Sequence, residues 1–519
     1  MIKINKFTKI TKILTLPIFA VAALSACSTS EQETSKNTKP NVVIFYVDDL
    51  GFGDIGVNGA QGVTTPNIDA LANNGINFTD AHSSAATCTP SRYSLLTGEY
   101  AFRKKAAVLK GDAPLLISTE QPTLPKLLKK VGYQTAVVGK WHLGLGDGTK
   151  ALNWNEAVSP GPLEIGFDYS FLLPATGDRV PSVYLENHHV VNLDKNDPLY
   201  VSYQGKIGNR PTGYENPELR RQPADDQHNE TIINGISRIG HMAGGKSAEW
   251  VDEDFHTVFT NKANNFIADN KDKPFFLFFS FHDIHVPRLP NDMFKGKSSM
   301  GVRGDAIIQM DWITGQVVKQ LEKSGVLNNT IILFTSDNGP VLTDGYDDFA
   351  IEKLADHKPA GPYRGGKYSA YEAGTRMPTI LHYPAKVKPG TSDSLMSQVD
   401  VYASLANLLQ IPLADDEAID SENHIKAWLD ANQSGRKLLI EESYTLSLRD
   451  NNWKYIAPSN NKGEWITNSK NIESGLSNEP QLFDLSKDPS ESQNLAKQKT
   501  NLVAQYQATL DKLVNRTTR

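Results

Sequence analysis

Cysteine is scarce in this chain: among 519 residues only Cys27 and Cys88 occur. They could form at most one disulfide, and no cluster of Cys and His has the spacing of a zinc site. Positive charge is not in excess either. The 53 Lys+Arg set against 59 Asp+Glu give a formal charge of −6. That argues against nucleic acid as a partner, because phosphate binding needs a basic surface. It excludes no small anion, since a local cationic pocket can bind one. Repeated apolar runs of membrane-spanning length are missing, so the chain is not a polytopic membrane protein. What is present is ordinary globular composition, 39% hydrophobic and 22% charged, which excludes a disordered or collagen-like chain. Length alone allows about three domains, although large α/β enzymes often run as one.

Residues 1–12 carry Lys3, Lys6, Lys9 and Lys12 and no acid, and the apolar run Ile13–Ala26 that follows is short for a bilayer span. A basic segment before a short apolar one reads as a secretory signal over residues 1–26. It ends in Leu24-Ser25-Ala26-Cys27, which resembles the lipobox of bacterial lipoproteins. The resemblance implies lipidation of Cys27 and an exported, membrane-anchored protein, periplasmic or at the cell surface. Ordinary signal cleavage after Ala26 is the alternative. Residues 27–39 are polar and read as a flexible tether. With Cys27 so used, Cys88 has no disulfide partner.

The apolar, β-branched runs Asn41–Val47, Gln134–Gly139, Phe275–Phe281 and Thr330–Ser336 read as buried strands. Between them, helices are expected after Thr65-Pro66, after Cys88, over Leu124–Val131, over Phe255–Asp269 and over Asp305–Ser324. Strands alternating with helices predict an α/β fold: a mostly parallel or mixed central sheet sandwiched by helices, over residues 40–430. Residues 170–250 are polar and Pro/Gly-rich and read as an insertion covering the site. From 431 to 519 the pattern changes to short strands (Lys437–Glu441, Trp453–Ile456, Gln481–Asp484) and a last helix, predicting a smaller α+β subdomain with an antiparallel sheet.

Polar clusters recur just after the buried strands, at the edge where open α/β sheets bind ligands. Asp48, Asp49, Asp337 and Asn338 are hard oxygen donors at two strand ends, a set suited to Ca²⁺ or Mg²⁺. A single Asp-Asp pair is more often a turn; two pairs at equivalent ends favour a metal. Cys88 stands where a helix begins, and the dipole together with Arg92 should lower its thiol pKa; the alternative is a small buried core cysteine. Lys140 and His142 share a face of an extended segment, His282 and His285 follow a buried strand, and Lys367 follows two glycines that permit close approach to a ligand.

Cys88-Thr89-Pro90-Ser91-Arg92 resembles the C-x-P-S-R signature of type I, formylglycine-dependent sulfatases of the alkaline phosphatase superfamily. Gly139-Lys140-Trp141-His142-Leu143-Gly144, His285-x-Pro287, Ser336-Asp337-Asn338-Gly339, Arg364-Gly365-Gly366-Lys367 and Glu372-Ala373-Gly374-Thr375-Arg376 follow in the order of that family. Leu482-Phe483-Asp484-Leu485 resembles its C-terminal motif. The resemblance, to bacterial exported polysaccharide sulfatases in particular, implies an alkaline phosphatase-like fold. It implies that Cys88 is oxidised by a formylglycine-generating enzyme to formylglycine (3-oxoalanine), whose hydrate is the nucleophile. It implies one Ca²⁺ on Asp48, Asp49, Asp337 and Asn338, with residue 88 facing it, and Arg92 bracing residue 88. His142 would take the proton that expels sulfate, Lys140 and Lys367 would bind sulfate oxygens, and His285 would protonate the leaving sugar oxygen. Thr176 lies where the family often has another sulfate-side polar residue.

For the substrate, Asp178, Arg179, Arg288, His357 and Arg364 are expected in rim loops, where their charges would suit a sulfated oligosaccharide or polysaccharide. A solvated loop charge is the plainer reading of each. The first expectation is a sulfated galactan of carrageenan type, with 4-O-sulfated galactose. Sulfated GalNAc of chondroitin-type glycans is the close rival, and a generic arylsulfatase or a non-catalytic glycan-capture lipoprotein are further alternatives.

Overall fold

The computed structural model describes residues 39–519; the signal over 1–26 and Cys27 lie outside the described residues. Strand β1 (Asn41–Val47) is buried along its whole length. Its side chains alternate: Val42, Ile44 and Tyr46 join one apolar cluster, while Val43, Phe45 and Val47 join another. A strand packed on both faces must be apolar at every position, hence the uninterrupted run.

The large sheet has ten strands in the order β15-β2-β14-β13-β1-β12-β4-β5-β6-β7. Beyond β1 these are β2 (Ile76–Phe78), β4 (Gln134–Lys140), β5 (Tyr169–Leu173), β6 (Leu185–Glu186), β7 (His189–Val190), β12 (Phe275–Ser280), β13 (Thr330–Ser336), β14 (Thr379–His382) and β15 (Gly390–Ser392). β3 (Ala81–His82) pairs with β16 (Met396–Ser397), and the insertion carries β8 (Tyr200–Ser202), β9 (Ile232–Ile233), β10 (Ile236–Ser237) and β11 (His241–Ala243) in two small ribbons.

The five central strands β13, β1, β12, β4 and β5 run parallel. Their register is close: Val47 pairs with Ser336, Tyr46 with Ser280, and Ser280 with Gly139. The C-terminal ends of all five therefore stand at one edge, and the expected polar clusters follow there.

One face of the sheet packs on α2 (Cys88–Thr97), α3 (Leu124–Lys129), α6 (Val401–Leu408) and α7 (Ile425–Leu429) through residues such as Tyr93, Leu127, Leu405 and Trp428. The other packs on α1 (Pro66–Asn73), α4 (Phe255–Asn270) and α5 (Gly301–Lys323) through Ile68, Phe259, Met310 and Val317. The α/β fold is as read, with a separate antiparallel sheet near the C-terminus: β17 (Leu438–Glu442), β18 (Leu446–Asp450), β19 (Trp453–Ile456) and β20 (Gln481–Asp484), backed by α9 (Thr500–Val514). That sheet is tied to the rest by ion pairs: Arg449 pairs with Asp80 and Glu372, and Lys454 with Glu372. The short α8 (Glu464–Lys470) lies between β19 and β20. None of the described helices is long and apolar enough to cross a membrane.

Candidate active site

Arg92 binds the strand ends together. Its Nε and Nη2 donate to Asp337 Oδ2 at 3.0 and 2.7 Å, and Nη2 lies 3.8 Å from Asp48 Oδ2. Nη1 donates to the Lys140 carbonyl at 3.4 Å and to Ser280 Oγ. One side chain from α2 thus holds the ends of β13, β1, β4 and β12, and all of these groups are buried. The position of α2, and so of Cys88 at its first residue, follows from these bonds.

Four carboxylates, Asp48, Asp49, Asp337 and Asp344, and three cations, Arg92, Lys140 and Lys367, share the space. Lys140 pairs with Asp48 beneath the site floor, and Lys367 bridges Asp49 and Asp344 at 2.9 Å each. Asn338 Nδ2 donates to Asp49 Oδ1 at 2.7 Å, and the Asp49 amide to Asp337 Oδ1 at 3.3 Å. Asp49 takes a left-handed backbone, φ 61°, which turns it back on the strand end it has just left.

The donor set fits a cation. Asp48 Oδ1 and Asn338 Oδ1 are buried and have no hydrogen-bond partner, an arrangement that costs stability unless something positive fills it. Burial and the neighbouring Asp337 push the Asp48 carboxyl up to about 6, even against Lys140 and Arg92. Asp48, Asp49 and His285 offer ligand atoms within 4.8 Å of one another. Oxygen donors of this kind hold a divalent metal.

Cys88 Sγ lies 3.3 Å from His142 Nδ1. His142 Nε2 lies 3.0 Å from the Leu109 carbonyl, an acceptor only, so Nε2 carries the proton and Nδ1 turns its lone pair to residue 88. Burial and the Lys140 charge hold this imidazole well below its ordinary pKa. The thiol itself does not behave as the sequence predicts. Burial pushes it up, and the pull of Lys140 and Lys367 does not offset that. Arg92, expected to help lower it, spends its charge on Asp337. His285 gives its Nδ1–H to the Val286 carbonyl at 2.6 Å and presents Nε2 on the side of Asp49, 3.8 Å from Oδ2. Burial, then Lys367 and Lys140, push it well below the usual range.

These groups form the floor of a cavity of about 530 Å³, to which Cys88, His142, His285 and Lys367 contribute. One wall comes from the insertion. Arg179 Nη1 donates to Thr176 Oγ1 at 2.6 Å and pairs with Asp178 at 3.0 Å, and Thr176 also donates to Asp178. Asp178 and Arg179 line the cavity; Thr176 is buried behind them and holds them in place. His228 stands between Asp178 Oδ2 (3.3 Å) and Asp225 Oδ1 (2.6 Å). Asp344, Tyr368, Tyr444, Trp465 and Lys470 also line the cavity.

Three residues expected at the rim are elsewhere. Arg288 is buried and spends its donors on the carbonyls of Ile284, Val341 and Leu342 and on Asp348, all within 3.0 Å. It pins the loop of His285 to the loop after Asn338. His357 is buried, with Nε2 2.8 Å from Asp54 and Nδ1 accepting the Gln61 amide at 3.1 Å. Arg364 stacks on Tyr371 at 4.2 Å and pairs with Glu473 at 2.6 Å. None of the three lines the cavity. Conversely, His228, Asp344, Tyr368, Tyr444, Trp465 and Lys470 were not picked out from the sequence. Tyr368, the residue after the Arg364-Gly365-Gly366-Lys367 motif, and Asp344, seven residues past Asp337, stood closest to recognised motifs.

A Sulfatase family model matches residues 40–411. An N-acetylgalactosamine-6-O-sulfatase of Bacteroides thetaiotaomicron is 48% identical over 508 residues, covering 96% of this chain and 99% of the relative. Human arylsulfatase A is 29% identical over 476 residues, 88% of this chain and 83% of its own. A solved sulfatase structure from the metabolism of multiple glycosaminoglycans by Bacteroides thetaiotaomicron superposes with a TM-score of 0.90 at 48% identity, over 92% of this chain and 100% of that one.

Proposed function

We propose that this chain, which belongs to the sulfatase family and is a sulfuric ester hydrolase, removes the 6-O-sulfate of N-acetylgalactosamine in a sulfated glycosaminoglycan. The observation that carries the substrate is the relative of that activity, matched at 48% over nearly its whole length. The expectation of a carrageenan-like galactan with 4-O-sulfated galactose gives way to the chondroitin-type rival on that finding.

Asp48, Asp49, Asp337 and Asn338 would hold Ca²⁺, which supplies positive charge against the sulfate oxygens and the nucleophile. Formylglycine derived from Cys88 would supply a hydrated aldehyde there. His142 Nδ1, 3.3 Å from the side chain of residue 88 and fixed by its Nε2–H bond to Leu109, takes a proton from that side chain. Lys367 sets a fixed ammonium at the floor, where charge moves during transfer, and Lys140, buried and paired with Asp48, adds a second positive charge behind the site. His285 would donate to the leaving sugar oxygen from Nε2 once protonated; an anionic ester beside it favours the charged imidazolium against the burial and the Lys367 and Lys140 charges that hold it neutral. Asp178, Arg179 and His228 present fixed donors and acceptors to the sugar hydroxyls. Export and a lipid on Cys27 belong to the same proposal, resting on the Leu24–Cys27 motif.

The test is sulfate release by chain matured with a formylglycine-generating enzyme. 6-O-sulfated GalNAc should exceed 4-O-sulfated GalNAc and 4-O-sulfated galactose by at least about tenfold in kcat/KM, and Cys88→Ser should be inactive on all three. A preference for either 4-O-sulfated sugar overturns the proposal.

A further inference from the structure

The floor of the cavity is charged, but part of its mouth is aromatic. Tyr444 and Trp465 both line it, and both remain largely exposed, 45% and 42%. Their rings meet edge to face at 5.8 Å, and Trp465 meets Tyr368 in the same way at 5.2 Å. Tyr368 in turn lies 5.4 Å from the Lys367 ammonium. A row of three rings therefore leads from the sulfate-side lysine out to solvent.

The row is held in place from two sides. Tyr444 sits at the tip of the β17–β18 hairpin with a left-handed backbone, φ 46°, a conformation that a bulky residue adopts only when its surroundings impose it. Trp465 rides on α8. That helix is anchored by the fully buried Ile466 and by Lys470, whose Nζ lies 2.7 Å from Asp344, the carboxylate that also holds Lys367. Exposed aromatics usually occur singly on a surface. Here two stand together, on separate elements, above the same reacting group.

We propose that Tyr444 and Trp465 form a platform for the sugar ring next to the sulfated one, so that the enzyme favours a saccharide of at least two rings. The inference rests on the reading of the substrate as a sulfated saccharide. The sulfated ring is met by charged and hydrogen-bonding groups at the floor and on the insertion wall. The next ring lies further out, where it offers an apolar C–H face to rigid aromatic surfaces that lose little entropy on contact.

The test compares full-length matured enzyme with Trp465→Ala, Trp465→Phe and Tyr444→Ala. The substrates are 6-O-sulfated GalNAc and two disaccharides carrying that ring at either end. The same ligands are titrated calorimetrically into the Cys88→Ser chain with and without the platform changes. The parent should favour at least one disaccharide by about tenfold, through KM and Kd rather than kcat. Both Ala variants should erase that preference while changing monosaccharide KM less than about twofold, and Trp465→Phe should keep most of it. A disaccharide preference that survives both Ala variants, no preference in the parent, or an equal loss on the monosaccharide overturns the platform alone. Failure of all three saccharides to bind or release sulfate overturns the substrate reading, and the platform with it.

Discussion

Calcium should stabilise this protein, by an amount the site geometry bounds. Asp48 Oδ1 and Asn338 Oδ1 are buried without partners, and each such atom costs about 1–3 kcal/mol. A cation that satisfies both should recover roughly 2–6 kcal/mol. Mass action gives a consistent scale, about 2.7 kcal/mol when the ion is at 100 times its Kd. For a chain this large each kcal/mol moves Tm by about 2 °C or less, so Ca²⁺ at 100 times its Kd should raise Tm over chelator by up to about 5 °C. Asn338→Ala is the informative variant. Removing Asp48 would leave the buried Lys140 unpaired, which is destabilising for its own reasons. Asn338→Ala deletes a donor oxygen and two hydrogen bonds of Nδ2, to Asp49 and to the Gly339 carbonyl, but no charge. A tenfold weaker Kd, about 1.4 kcal/mol, should then roughly halve the Ca²⁺-dependent shift, and sulfate release should need more Ca²⁺. Scanning fluorimetry over a Ca²⁺ titration reads both proteins. A parent Tm indifferent to Ca²⁺ and chelator, or a full shift in Asn338→Ala, refutes the assignment of these oxygens.

Two further outcomes follow from the buried histidines. His357→Ala deletes the bond to Asp54 and strands the Gln61 amide, so stability should fall by about 2–4 kcal/mol with glycan KM unchanged; a raised KM at unchanged Tm would restore a role at the rim. His228 is lowered by burial, but its bonds to Asp178 and Asp225 outweigh that and raise its pKa. Its stabilisation is therefore fully present below about pH 6.5 and is lost as pH climbs through the raised folded value. The Tm gap between parent and His228→Asn should be widest near the acid end of the working range and shrink toward alkaline pH; a gap that does not vary with pH would show that the imidazolium is not the stabilising form.

Residues at strand ends were legible because their neighbours in sequence are also their neighbours in space. β1 delivers Asp48 and Asp49, and β13 delivers Asp337 and Asn338, each directly after an apolar run that could only be a buried strand. The parallel register then brings the pairs together without further information. Long loops offer no such shortcut. His357 and His228 each sit near an aspartate in polar sequence, yet one is locked against Asp54, 303 positions away, and the other faces the cavity against Asp178, 50 positions away. Nothing local separates them, because the choice is made by which loop folds inward. The start of α5 shows the same limit. The helix expected over Asp305–Ser324 starts four residues earlier, at Gly301. A Cβ on Gly304 would fall 1.9 Å from Ser298 Oγ and one on Gly315 2.2 Å from Asn67 Oδ1, so these glycines serve close packing inside the helix instead of ending it. The aromatic row over the floor was hidden for a related reason. Tyr368, Tyr444 and Trp465 come from three segments whose meeting depends on the C-terminal sheet docking through Arg449 and Lys454. The chemistry at residue 88 is therefore written in short motifs, whereas the choice of glycan depends on contacts between segments far apart in the chain.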